Sequence, residues 1–187
     1  MATNIGLRKK LTSLVALAAC LLAGAASADA QTVCVAQGQT KTFTYKQSPA
    51  APGVATATFK LEHDLLTVDY QNIAPTAHLS GVAFNVAPQV ALESDSAATA
   101  SDGWEAGPGS GGGLGNYDFV AHGSGGKLRL APGAGGKATF TLDYGRAEVC
   151  ITKTIAHLTG LAGGTSKPVG VLTGEGKTTP NVPTYVD

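Results

Sequence analysis

The chain has one methionine, one tryptophan and three cysteines in 187 residues, and no excess of charge, with 13 basic and 13 acidic side chains. The missing basic excess argues against a nucleic-acid binder, which normally carries a basic patch or stripe. No strongly apolar run reaches the roughly 20 residues that a membrane-spanning helix needs. No window after residue 30 shows the stripe of an amphipathic helix. Large apolar residues are scarce too. The overall 43% hydrophobic content is inflated by the first thirty residues. Beyond them Val, Ile, Leu and Phe total 33 of 157, about 21%, with a net charge of −2 from 10 basic and 12 acidic groups. The core is therefore expected to be thin.

What is present begins with an export signal. Arg8, Lys9 and Lys10 form a basic start and Leu11 to Leu22 an apolar stretch. Two small-x-small sites follow, Ala26-Ser27-Ala28 and Ala28-Asp29-Ala30. Residues 1–30 read as a Sec-type signal peptide cleaved after Ala30, with cleavage after Ala28 as the other choice. A rival is a lipoprotein signal at Leu17-Ala18-Ala19-Cys20, but Leu21 and Leu22 continue the apolar run past that cysteine. The expected location is secreted, periplasmic or cell-surface, with no stable transmembrane segment after cleavage.

Processing leaves Cys34 and Cys150. An even pair in an exported chain reads as a disulfide. It would put the first strand beside a late one. Two free thiols or a metal pair are the alternatives, and two isolated cysteines are too few for a zinc site without suitably spaced histidines.

Period-two alternation dominates the rest. Phe43 and Tyr45 share a face, as do Phe59 and Leu61, then Leu66, Val68 and Tyr70 after a polar bend at Glu62-His63-Asp64. Val82, Phe84 and Val86 alternate again, followed by Ala138, Phe140, Leu142 and Tyr144, and by Val149, Ile151 and Ile155. Between Gly103 and Gly136, 13 of 34 residues are glycine, and Gly107 to Gly113 is expected to form a long loop, with a short strand at Tyr117, Phe119 and Val120. The expectation is an all-β protein: a single antiparallel, jelly-roll-like β-sandwich over residues 31–176 with a long glycine-rich loop and one disulfide, followed by a tail at 177–187.

Catalytic motifs fail on context. Gly107 to Gly112 fits GxGxxG, but no helix follows to meet a pyrophosphate. Gly176-Lys177-Thr178 resembles a phosphate loop, yet Val171 stands where its first glycine belongs. Ser110 and Ser124 follow Pro108 and His122 at the place where a nucleophile elbow needs glycine. Glu93, Asp95 and Asp102 do not form a calcium loop. The chain is expected to be no enzyme, and nothing in it calls for a cofactor. Two constellations remain. His78, His122 and His157 share an Ala-His-x-Ser/Thr-Gly frame and either converge on a transition metal or satisfy strand ends. Trp104 and Tyr117 flank the glycine run and form either a platform for a sugar ring or plugs of the core.

A resemblance spans roughly residues 55–172. Leu65 to Asn72, Leu79 to Val86, Asp102-Gly103-Trp104-Glu105, the glycine-rich Gly113 to Phe119, Phe140-Thr141-Leu142 and Ala156 to Leu161 together resemble the exported β-sandwich domains of bacterial PEP-CTERM (exosortase-associated) surface proteins. That family's Pro-Glu-Pro signal, membrane helix and basic cluster have no counterpart in the last residues, Pro183-Thr184-Tyr185-Val186-Asp187. The resemblance implies an extracellular domain tied to exopolysaccharide or matrix, and it carries over no functional residue. The expected function is that of a secreted or cell-surface non-enzymatic protein associated with matrix components. A carbohydrate-binding module using Trp104 and Tyr117, or a periplasmic metal-binding protein using the three histidines, are the alternatives.

Overall fold

Threonine, valine and aromatic residues alternating along the chain become strands wherever one side of the backbone can be buried. The computed structural model describes residues 32–161 except 49, 95, 96, 127 and 144, and three short strands beyond them. The export segment 1–30 with Cys20, Tyr144 and most of the tail 177–187 lie outside the described residues.

The strands are β1 (Val33–Ala36), β2 (Thr40–Lys46), β3 (Gly53–Glu62), β4 (Leu65–Asn72), β5 (His78–Ala87), β6 (Ala98–Ala100), β7 (Trp104–Ser110), β8 (Asn116–Gly123), β9 (Gly135–Thr141), β10 (Glu148–Leu161), β11 (Gly164–Lys167), β12 (Gly170–Leu172) and β13 (Tyr185–Val186). They form two antiparallel sheets packed face to face, the expected sandwich. The first runs β13-β11-β10-β5-β8-β7, with β1 also on β10; the second runs β12-β2-β3-β4-β9-β6. Cys34 and Cys150 stand opposite each other on β1 and β10 and are joined by a disulfide that closes 116 residues of sequence. In the chain-entropy view a loop of that order stabilises the fold by up to about 4.7 kcal/mol.

All five phenylalanines meet between the sheets. Phe84 of β5 packs edge-on against Phe59 of β3 at 5.0 Å and Phe140 of β9 at 5.4 Å, and lies 5.5 Å from Phe119 of β8. Phe43 extends the chain through Phe59 at 5.3 Å. Beside this network Tyr45 of β2 donates to Thr154 of β10 at 2.7 Å, and Thr154 donates to Ala83 O at 3.0 Å. Tyr70 of β4 stacks on Trp104 of β7 at 4.6 Å.

Two amides organise the ends. Asn72, fully buried, donates to Ala77 O and Leu130 O at 2.8 and 2.9 Å and accepts from Ala74 N at 3.1 Å, which pins the crossover between the sheets. Gln37 donates to His63 O at 2.7 Å and Arg146 O at 2.5 Å, and accepts from His63 N at 2.7 Å. It ties the β3–β4 turn to the loop before β10.

One expectation is corrected. Gly107 to Ser110 is not loop but the second half of β7, paired with β8. The strand lies at the edge of its sheet, where Pro108 costs no hydrogen bond and side chains are not needed for packing. The loop shrinks to residues 111–115.

Phe84→Ala, at the hub of the ring network, is expected to lose about 3–5 kcal/mol in urea unfolding, more than Phe43→Ala at its end. Burial drives the Tyr45 and Tyr70 phenols well above the ordinary tyrosine value. Because the native state holds these protons more tightly, the stability is whole below about pH 10 and falls as pH rises past it. Unfolding midpoints measured from pH 8 to 11 are expected to drop at the alkaline end, with a shallower drop for Tyr45→Phe.

Candidate functional site

The two aromatic residues singled out in the sequence do not come together. Trp104 faces the space between the sheets, 5% exposed, and belongs to the main core with Tyr70. Tyr117 faces the outside of its sheet in a second cluster with Ala83, Leu114, Val120 and Ile155. The cause is one residue. Pro108 pairs with Phe119 and Gly109 with Tyr117, so Asp118 is an extra residue in β8. This bulge sends Tyr117 and Phe119 to opposite faces although they are two apart. Lys153 Nζ lies 4.9 Å above the Tyr117 ring. Neither ring is an open sugar platform.

The histidines fare differently. His122 of β8 and His157 of β10 both stand opposite Gly81 of β5, one on each side, while His78 sits exposed at the start of β5, opposite Thr159. Over the first two folds the tip of the β7–β8 hairpin. Leu114, buried there, occupies the space a β-carbon of Gly81 would need, 2.7 Å away. A β-carbon on Gly111 would overlap the His122 ring, so the tip can lie this close only with glycine at that position. His157 Nδ1 donates to Gly112 O at 2.9 Å with Ser80 Oγ 3.0 Å away, and His122 Nδ1 donates to Gly123 O at 3.1 Å. These imidazoles hold backbone.

Metal-ligand geometry is found elsewhere. Among the described residues, one group of three ligand-type side chains has its donor atoms within 4.8 Å of one another: Cys34, Glu148 and Cys150. Both sulfurs are bound in the disulfide, which leaves a single carboxylate. The three histidines form no such group.

The bulge also builds a site that the sequence did not announce. Asp118 Oδ2 accepts from Val86 N at 2.8 Å and Asp118 N donates to Asn85 Oδ1 at 3.0 Å, so the carboxylate is fixed by the neighbouring strand. Asp118 lines a cleft of about 570 Å³ between the hairpin and the segment after β5. Gln89, Glu93 and Ser94 supply the other polar groups; Val90, Leu92, Pro108 and Phe119 supply apolar wall. That wall segment is rigidly attached, because Glu93 N donates to Thr141 O at 2.9 Å and Asp143 N donates to Ala91 O at 3.0 Å. No lysine, arginine or histidine is among the described residues lining it. In the sequence Glu93 stands out only as one of three acids that fail to make a calcium loop, with Asp102 and with Asp95, which lies outside the described residues. Asp118 and Gln89 carried no sequence signal, since the cleft depends on register.

The outer face of the second sheet is polar and internally neutralised. Thr42 bonds Thr58 at 2.8 Å and Thr99 bonds Thr139 at 2.7 Å across strands, and Lys60 and Lys137 pair with Glu62 and Asp69 at 2.7 and 3.5 Å. Such exposed pairs contribute about 0–1 kcal/mol each.

Gly111→Val is expected to displace the hairpin tip, raising amide exchange at residues 112–116 at least tenfold while the Phe84 environment, read by side-chain NMR, stays unchanged. Comparison of the chain with family models, with curated proteins and with solved structures gave no match.

Proposed function

We propose that the chain is an exported, non-enzymatic β-sandwich that works at the cell surface or in the extracellular matrix. The observation that carries this reading is the Cys34–Cys150 bond. It joins the first strand to a late one on the half-exposed side of the sheet, and such bonds persist in oxidising compartments. The export-type segment ahead of it and the resemblance to exported surface domains point the same way. Ser80 and His157 bond each other and backbone, and Ser124 donates to Glu105 at 2.6 Å.

A second reading, a carbohydrate-binding module, is favoured by the cleft at Asp118 and not by Trp104 and Tyr117. Extracellular polysaccharide or other matrix components are the partners it implies. The metal-binding reading loses its basis, because the described histidines are not gathered at ligand distance.

Cell fractionation and intact-mass analysis test the proposal. The mature chain is expected outside the cytoplasm, beginning at Gln31, two mass units lighter than the dithiol form and without lipid on Cys20. Cytoplasmic retention with free thiols would overturn the export reading. Turnover of a broad panel of esters, glycosides or peptides by the purified protein would overturn the non-enzymatic one.

A further inference from the structure

We infer that the cleft at the Asp118 bulge is a binding site for a non-anionic saccharide, either neutral or amino-substituted. The inference rests on the matrix reading above and adds to it a site and a ligand class.

Size comes first. The cleft, about 570 Å³, falls within the roughly 300–1,000 Å³ of small-molecule sites. It is far larger than an ion needs. A hard cation would also require six or more converging oxygens. Glu93 and Asp118 belong to no group of three ligand-type side chains drawn together within 4.8 Å among the described residues. The space suits a molecule with many hydroxyls rather than a metal.

Two carboxylates accept hydrogen bonds from sugar hydroxyls or ammonium groups, the Gln89 amide both donates and accepts, and Val90, Leu92 and Pro108 offer apolar surface to a ring's C–H face. Asp118 is held by Val86 N through one oxygen, so the carboxylate is oriented before any ligand arrives. Preorganisation of this kind lowers the ordering cost of binding. A bulge at a sheet edge is a recurrent way to aim one side chain. Here it aims Asp118 away from the ladder that its neighbours join.

Charge then sets selectivity. With Glu93 and Asp118 in the lining and no lysine, arginine or histidine among the described lining residues, a uronate, sulfate or phosphate group would face like charges. Like-charge juxtaposition excludes partners more effectively than it tunes affinity. Uncharged sugars pay no such penalty, and amino sugars gain from it.

The full-length processed protein, titrated by calorimetry and by amide chemical shifts, tests the inference with three probes: a neutral β-linked glucan oligosaccharide, a chitosan oligosaccharide and an oligouronate. The neutral or amino probe is expected to shift the amides of Glu93 and Asp118, and the oligouronate to leave them unmoved. Glu93→Ala with Gln89→Ala is expected to weaken binding about tenfold or more at unchanged unfolding midpoint, both side chains being exposed. Glu93→Gln is expected to admit the oligouronate. Silence from all three probes, binding untouched by the double variant, or a preference for the oligouronate in the unaltered protein would each overturn the cleft assignment. The matrix reading is decided separately by fractionation: a protein found in the matrix that ignores every probe sinks the cleft alone.

Discussion

The two sheets are held together chiefly by a ring system that crosses from one to the other and back. Phe84 touches three other phenylalanines, two of them on the opposite sheet, so the sandwich closes around one side chain of β5. A chain with so few large aliphatic residues cannot distribute this task evenly. It concentrates the apolar area in aromatics, which bury about 150–250 Å² each and gain from edge-to-face geometry beyond area alone. The Tyr45–Thr154 bond and the Tyr70–Trp104 stack extend the same inter-sheet contact to either side. The disulfide then fixes β1, a four-residue strand that brings only Val33 and Val35 to the core.

Much of this is visible in the residues themselves. Alternation at Phe59, Leu61, Leu66, Val68 and Tyr70 reads out the hairpin of β3 and β4, because period two has a single interpretation when one face is buried. The cysteine pair gives the adjacency of β1 and β10. The glycine run is less legible. Glycine and proline veto regular structure only where neighbours demand a full ladder and packed side chains, and an edge strand demands neither. Tyr117 and Phe119 show the opposite limit. Their spacing places them on one face, and a single extra residue, Asp118, reverses that without leaving any trace in composition. The cleft is hidden for the same reason, since its lining comes from the segment after β5 and from β7 and β8, which meet only through register.

The sandwich's two outer faces solve different problems. On the second sheet, threonine hydroxyls pair across strands and lysines pair with acids, leaving a neutral, water-compatible surface. On the first, the row Ala83, Val120 and Ile155 would be an apolar strip facing solvent. Leu114 of the hairpin tip and Tyr117 of β8 cluster with it, and His157 fastens the tip through Gly112 O. The paired Ala-His-x-Ser/Thr-Gly frames thus serve as anchorage: the glycine of one, Gly81, makes room for the tip between the histidines of the other two.

The glycine-rich strand at the sheet's margin has a bearing on crowding. A strand end with free N–H and C=O groups is a template on which another molecule can polymerise. In β7 that margin carries Pro108, which has no N–H to offer, and the strand ends in a tip that curls over the sheet instead of continuing it. That margin is thereby a poor template for a strand of a second copy.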